Sequence, residues 1–120
     1  MIRYLIGIDI GSTCAKTVVM DGEQQIQFRL LQPTGWSSVD TAEEIRRRLE
    51  SEGFPLEDAA VVATGYGRVS VPYADKCVTE ITCHGRGACH VYGESSLTVI
   101  DIGGQDTKII QIQQGAVSDF

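Results

Sequence analysis

No apolar run in the 120-residue sequence approaches the roughly 20 residues that a membrane-spanning helix needs. The first residues also lack the long apolar core and the small-residue cleavage site of a signal peptide. No segment is of low complexity, and hydrophobic residues make up 42% of the chain, so disordered and fibrous classes are excluded. We therefore expect a folded protein of the cytoplasm without membrane contact.

Positive charge is also scarce, since 10 lysines and arginines face 16 acidic residues and the net charge is −6. The one basic cluster, at residues 46–48, lies in an otherwise acidic segment and falls mostly on the exposed face of a predicted helix. This balance argues against nucleic acid or an anionic membrane as a partner. It is compatible with a small anionic ligand, because backbone amides bind phosphate without any net positive charge.

The sequence lacks the cysteine spacing that is typical of a metal site. The four cysteines are Cys14, Cys77, Cys83 and Cys89. None belongs to a Cys-x-x-Cys pair, so we expect reduced thiols rather than a disulfide framework or a metal site made by these four alone. The histidines His84 and His90 fall on a predicted helix, where we interpret them as surface or packing residues.

Hydrophobic patterning predicts an alternation of strands and helices. Apolar runs bounded by turn residues indicate strands, and apolar residues spaced by three and four positions indicate a helix. The predicted strands are residues 4–8, 17–20, 26–31, 59–63, 97–102, 107–112 and 116–120. The first predicted helix extends over residues 39–49, with Ser37 or Ser38 as its cap and Gly53 at its end, and the second over residues 79–92. This order is typical of a layered α/β domain with a mixed sheet.

Nothing in the sequence resembles a linker, so we predict a single domain over residues 1–120. The last predicted strand runs to the final residue, and strand residues need a neighbour that satisfies their backbone groups. We therefore expect this domain to be half of something larger or a shortened piece of a longer chain.

Two segments of the chain are similar to each other. Asp, Ile, Gly and Lys occur in register in residues 8–18 (IDIGSTCAKTV) and residues 100–110 (IDIGGQDTKII). Each segment consists of an apolar strand, a tight glycine-containing turn and a second strand. A single Asp-x-Gly pattern is typical of an ordinary hairpin, whereas two copies in register behind apolar strands favour a shared function.

The residue types of these turns suit a polyphosphate. Glycines let the backbone approach a ligand closely, turn amides donate to phosphate oxygens, and Ser12 and Thr13 add hydroxyl donors. Asp9 and Asp101, each at the end of a strand, offer the oxygen ligands that Mg²⁺ prefers. Two such turns facing each other would clamp a polyphosphate between two carboxylates. Neither a Gly-x-x-x-x-Gly-Lys-Ser/Thr loop nor a Gly-x-Gly-x-x-Gly loop after a strand is present.

Three segments carry a resemblance to a known family: residues 7–13 (GIDIGST), residues 63–68 (ATGYGR) and residues 99–106 (VIDIGGQD). The first alone resembles the phosphate motif of the whole actin, sugar-kinase and Hsp70 ATPase superfamily. Together, and with residues 79–85 (TEITCHG), they resemble the activator proteins (component A) of 2-hydroxyacyl-CoA dehydratases. These activators group with the ATPase subunits of benzoyl-CoA reductase, and the resemblance runs over nearly the whole chain.

The resemblance implies a ribonuclease-H-like, actin-like ATPase lobe with a mixed, mainly five-stranded sheet flanked by helices. Family members are homodimers whose subunits have two such lobes with ATP in the cleft between them. A [4Fe–4S] cluster bridges the subunits, and ATP hydrolysis drives an electron into a partner dehydratase or reductase. By this resemblance, residues 1–120 are the N-terminal lobe of such a protein, and the second lobe is absent.

The resemblance also implies roles for individual residues. The first phosphate turn would consist of Asp9, Gly11, Ser12 and Thr13, and the second of Asp101, Gly103, Gly104 and Gln105. The metal ligands would be Asp9 and Asp101, the catalytic residues Asp101, Gln105 and Asp106, and the lysines in contact with phosphate Lys16 and Lys108. Each lysine can alternatively be a solvated residue on a strand.

The chain also departs from that family. The family's cluster cysteines and adenosine-binding motif lie beyond residue 120, and none of the four cysteines here matches a cluster position. We therefore expect this chain by itself to hold no cluster and to show little ATPase activity. One lobe alone leaves the nucleotide uncovered on one side, which weakens binding and admits water.

Two other functions stay open. A small-molecule kinase of the same superfamily would share the turns, but it needs a carboxylate base, and residues 63–68 contain none. A non-enzymatic, nucleotide-responsive module of the actin type is compatible with the exposed arginines and with half of a nucleotide site.

Tyr66 and Arg68 lie on a loop at a strand end, where functional residues are common. Arg68 either reaches phosphate or a partner, or it anchors the loop.

Overall fold

The computed structural model, which describes residues 1–120, begins with three antiparallel strands. They are β1 (Tyr4–Ile10), β2 (Cys14–Asp21) and β3 (Ile26–Pro33), and each pairs with the next. Asp21 closes the turn between β2 and β3, because its Oδ1 accepts hydrogen bonds from two backbone N–H groups of the turn at 2.9 and 3.0 Å. The hairpin predicted at this position is confirmed.

Two parallel strands complete a five-stranded sheet. β4 (Ala59–Thr64) lies parallel to β1, and β5 (Lys76–Cys77) lies parallel to β4. The strand order is β3-β2-β1-β4-β5, which confirms the mixed five-stranded sheet. β5 escapes prediction because it consists of two exposed residues without a hydrophobic pattern.

Helix α1 (Ser38–Ser51) begins and ends where its capping residues indicate. The side chain of Ser37 accepts a hydrogen bond from the N–H of Asp40 at 3.2 Å, which satisfies one of the free donors at the helix start. After the last turn, Gly53 adopts a φ of +91°, a left-handed conformation that glycine tolerates best. The predicted first helix is therefore confirmed, with Ser37 as the cap.

The core of this region joins one face of the sheet to one stripe of α1. Side chains at alternate positions of β1 are buried, as expected for a strand with one covered face. The helix buries residues at the spacing of a single helical stripe. The buried apolar side chains are Ile6, Ile8, Ile10, Ala15, Val19, Ala42, Ile45, Leu49, Ala59, Val61, Ala63 and Val71.

The arginine run lies on the exposed side of α1 and is neutralised within the helix. Arg46 forms an ion pair with Glu43 and another with Glu50 at 3.0 Å, and Arg48 pairs with Glu52 at 3.2 Å. The hydrogen bond from Arg46 lowers the pKa of the Glu43 carboxyl below its usual 4.5. The pairs support the interpretation of the run as a solvated helix face.

Residues Val78–Phe120 form a compact unit of their own, and Met1–Cys77 form the other. The second unit contains helix α2 (Glu80–Tyr92) and an antiparallel three-stranded sheet. The strands of this sheet are β6 (Leu97–Ile102), β7 (Thr107–Gln113) and β8 (Ala116–Asp119). All the predicted elements of this region are present, but their strands form a separate sheet. Neither α-helix of the chain is long and apolar enough to cross a bilayer.

Candidate phosphate-binding turns

The first candidate turn connects β1 to β2. The last paired residues of these strands are Ile10 and Ala15, and the N–H of Gly11 donates to the carbonyl of Cys14 at 2.9 Å. Ser12 and Thr13 lie exposed at the tip. The hydroxyl groups of Ser12 and Thr13 are therefore accessible to solvent.

The second candidate turn connects β6 to β7 and has the same closing geometry. Ile102 pairs with Thr107, and the N–H of Gly103 donates to the carbonyl of Asp106 at 2.8 Å. Residues 103–106 are exposed. Because donor, acceptor and last strand pair all correspond to those of the first turn, the repeat seen in the sequence is also a repeat of backbone structure.

An aspartate and a lysine face each other across the strands behind each turn, but their side chains pair differently. In the first unit, Lys16 Nζ lies 3.5 Å from Asp9 Oδ2, and Asp9 is the more buried of the two. In the second, Lys108 is the register partner of Asp101, yet its Nζ lies 3.0 Å from Asp106 Oδ1. The hydrogen bond from Lys108 to Asp106 raises the pKa of this lysine.

His84 on α2 contacts the aspartate that precedes the second turn. Its Nδ1 lies 2.7 Å from Asp101 Oδ2, and both side chains are about three-quarters buried, with 29% and 26% of their surfaces exposed. The interpretation of His84 as a surface or packing residue rather than a ligand did not include this contact with Asp101. Residues 79–85 belong to the segments that resemble the activators, but spacing alone could not show which residue His84 touches.

Thr34 contacts the first turn, although nothing in the sequence marks it as a site residue. Its N–H donates to the carbonyl of Thr13 at 3.0 Å, and its Oγ1 donates to the carbonyl of Gly11 at 2.7 Å. A threonine between a strand and a helix has no distinctive pattern, so only the three-dimensional structure shows this contact.

The loop after β4 packs against the end of β1. The N–H of Gly67 donates to the carbonyl of Ile10 at 2.9 Å, and Gly65 has a φ of +91°. A Cβ on Gly65 would lie 2.7 Å from the carbonyl carbon of Ile10, closer than any real contact. Arg68 Nη1 donates to the carbonyl of Gly65 at 3.0 Å, so this side chain anchors the loop.

The donors of these turns suit Mg²⁺ better than an iron–sulfur cluster. The carboxylates of Asp9 in the first unit and Asp101 in the second are hard oxygen donors, and no group of three or more His, Cys, Asp or Glu side chains forms a preformed metal site. Mg²⁺ usually keeps waters and phosphate oxygens among its ligands, so one or two carboxylates fit its needs. The four cysteines are free thiols in no such group, and they do not fit a cluster held by this chain.

The chain has an actin-like ATPase fold, because its sheets and helices superpose on solved structures of that fold. Residues 6–120 match the family model described as the BadF/BadG/BcrA/BcrD ATPase family. The chain is a member of this family.

Individual relatives agree with this assignment. The (R)-2-hydroxyglutaryl-CoA dehydratase activating ATPase of Acidaminococcus fermentans is 39% identical over 119 residues, which cover 98% of this chain and 45% of the relative. The crystal structure of component A of the Acidaminococcus fermentans (R)-2-hydroxyglutaryl-CoA dehydratase superposes with a TM-score of 0.86 at 37% identity, covering 98% of this chain and 46% of that one. The Clostridium difficile 2-hydroxyisocaproyl-CoA dehydratase activator with bound ADPNP gives 0.83 at 34% identity, covering 97% and 44%. The chain thus spans about half the length of these relatives.

Proposed function

We propose that this chain supplies the phosphate-binding turns of an ATP-driven activator of a 2-hydroxyacyl-CoA dehydratase or a benzoyl-CoA reductase. The observation that carries the proposal is the repeated turn, in which Gly11 and Gly103 make the same closing hydrogen bond behind Asp9 and Asp101. Two of the relatives are named as activators of dehydratases, and the structure of one of them contains bound ADPNP. Both facts support the same function.

The turns would bind phosphate through their backbone. In the first, the exposed Ser12 and Thr13 offer N–H and hydroxyl donors, and in the second, Gly104 and Gln105 offer N–H donors without a bulky side chain at the glycine. Such amides bind anions without adding net positive charge, which fits the acidic composition of the chain.

The carboxylates of Asp9 and Asp101 would hold Mg²⁺ directly or through water. When bound, the ion neutralises negative charge on the phosphates and fixes their orientation. Lys16, which lies 3.5 Å from Asp9, adds positive charge beside the first turn. Lys108 is engaged by Asp106 and Glu80, so its contribution to phosphate binding would be smaller.

Gln105 is the better of the two candidates for positioning the attacking water. Its side-chain amide both donates and accepts hydrogen bonds, and it lies exposed in the second turn. Asp106 accepts a hydrogen bond from Lys108, which competes with any role as a base. We therefore propose that Gln105 positions the attacking water and that Asp106 supports the turn.

The remaining activities belong to the longer protein in this proposal. Iron–sulfur electron transfer, a homodimer and docking to the dehydratase or reductase would need residues outside this chain. The 120-residue chain is then an N-terminal part with the phosphate half of the site. We expect it to bind nucleotide weakly and to hydrolyse little ATP, because water is not excluded from one side.

Calorimetry of this chain with ADPNP, with and without Mg²⁺, tests the proposal. Asp9→Ala and Asp101→Ala should each weaken Mg²⁺-dependent binding by about tenfold or more, since each removes a charged ligand. Glu23→Ala and Glu94→Ala are matched controls, because they remove one exposed acidic side chain per unit away from the turns. The absence of binding at millimolar nucleotide, or equal losses in the controls, would contradict the proposal.

A further inference from the structure

Thr34 is a buried residue that holds the first turn at two points. Only 6% of its surface is exposed, and it directly follows β3. Its Oγ1 donates to the carbonyl of Gly11 at 2.7 Å, and its N–H donates to the carbonyl of Thr13 at 3.0 Å. One residue thus satisfies carbonyl groups at both ends of the turn tip.

These two bonds determine which way the turn amides face. In a planar trans peptide, the C=O of one residue and the N–H of the next point in opposite directions. Because the carbonyl of Gly11 points at Thr34, the N–H of Ser12 points away from Thr34. The contact therefore directs a backbone donor outward from the buried side of the turn.

Thr34 is itself fixed to helix α1. Its carbonyl accepts a short hydrogen bond from Thr41 Oγ1, and the same hydroxyl lies 3.0 Å from the carbonyl of Ser37, the helix cap. Thr41 is buried in the first turn of the helix. The turn, Thr34 and the start of α1 are thus joined by a continuous set of hydrogen bonds, which limits the motion of the turn before any ligand arrives.

We propose that Thr34 is a positioning residue that keeps the first turn in its phosphate-binding shape through the Oγ1 contact with Gly11. This inference rests on the proposed function, because it assigns Thr34 a role in the same turn. Thr34 touches no phosphate itself and acts through Gly11 and Ser12. A turn held in advance does not have to be ordered by the ligand, so the contact raises affinity for nucleotide.

Thr34→Val tests the hydroxyl, because valine keeps the shape and the backbone N–H but loses the donor to Gly11. We expect it to weaken binding of Mg²⁺–ADPNP by about tenfold, as the carbonyl of Gly11 loses its partner. Thr34→Ser, which retains the hydroxyl, should stay within about threefold of the wild-type affinity. Thr17→Val is the matched control, because Thr17 is also buried and its Oγ1 has no hydrogen-bond partner.

Hydrogen exchange without nucleotide separates this inference from the proposed function. The N–H of Gly11 closes the turn, and its exchange rate should rise several-fold in Thr34→Val. In Thr17→Val the exchange rate of this N–H should equal that of the wild type. If the wild-type chain fails to bind ADPNP, the proposed function fails, and exchange at Gly11 still decides whether Thr34 holds the turn. Should Thr34→Val not fold, Thr34→Ala replaces it in both measurements.

The possible results either support or overturn the inference. Weaker binding and faster exchange in Thr34→Val, both restored in Thr34→Ser, support it. Wild-type affinity in a folded Thr34→Val, unchanged exchange at Gly11, or a failure of serine to restore binding overturns it.

Discussion

His84 Nδ1 and Asp101 Oδ2 lie 2.7 Å apart, which ties helix α2 to the end of strand β6 immediately before the second turn. An ionised carboxylate only accepts hydrogen bonds, and an imidazole with its proton on Nδ1 can donate to it at this distance. The contact restricts the rotation of the Asp101 carboxylate. A ligand carboxylate held by a neighbour loses less freedom when it binds a metal ion.

His84→Ala should therefore weaken Mg²⁺-dependent nucleotide binding by about threefold to tenfold, since Asp101 loses its partner. His84→Asn should restore most of the affinity, because its side-chain amide can donate near the position of Nδ1. His90→Ala is the control, since His90 lies exposed on the same helix. Titration of Mg²⁺ at fixed ADPNP measures the effect, and an unchanged Mg²⁺ requirement in His84→Ala would argue that the contact is purely structural.

Gly65→Ala should disturb the end of β1, which leads into the first turn. The added Cβ would lie 2.7 Å from the carbonyl carbon of Ile10 and would collide with the side chain of Asp9, at a residue whose φ is +91°. We expect a loss of about 2 kcal/mol in the free energy of unfolding from the left-handed conformation and the clash.

Urea denaturation measures this loss, and calorimetry with ADPNP measures its effect on the site. Gly22→Ala is the control, because Gly22 is also in a turn, but its Cβ would meet nothing within 4 Å and its φ is not positive. If Gly65→Ala were as stable as Gly22→Ala, the close approach of the loop to β1 would be wrong.

The parts of the site that sequence could predict are local. The turns at Gly11 and Gly103 follow from apolar runs interrupted by glycine, and their repeat is visible because Asp, Gly and Lys keep one register. Within each turn, the closing hydrogen bond spans only three residues. Short-range patterns of this kind leave a clear signature in residue type and spacing.

The contacts that sequence could not predict are between distant residues. His84 meets Asp101 across 17 positions, and Thr34 meets Gly11 across 23. The two repeated segments also differ in the ion pairs of their lysines. Lys16 pairs with Asp9, whereas Lys108 pairs with Asp106 and Glu80. Such choices depend on which side chains the fold brings near, and not on the register of the strands.

The two glycines in α2 differ in their surroundings, so alanine should affect them differently. A Cβ added at Gly87 would meet nothing within 4 Å, and Gly87→Ala should raise the free energy of unfolding by about 1 kcal/mol through helix propensity. At Gly85 the Cβ would lie 3.1 Å from Val117 Cγ2 and 3.3 Å from Ile112 Cδ1. The glycine at this position lets the helix pack closely on β7 and β8.

Gly85→Ala should therefore raise the free energy of unfolding by less than Gly87→Ala does, or lower it. Gly85→Leu should clearly lower the free energy of unfolding, because the larger side chain overpacks the contact with β7 and β8. Thermal and urea unfolding of the three variants provide the comparison. Equal gains at both positions would show that α2 does not pack tightly through Gly85.

Anaerobic reconstitution of this chain with iron and sulfide should form no iron–sulfur cluster. Its four thiols are not grouped with other ligands, and a [4Fe–4S] cluster needs several thiolates converging on one centre. A variant with all four cysteines replaced by serine is the matched control, and both proteins should give the same visible absorbance after desalting. Absorbance that the wild type retains and the variant lacks would place cluster ligands among these cysteines. It would then overturn the proposal that electron transfer depends on residues outside the chain, while leaving the phosphate turns to be judged by nucleotide binding.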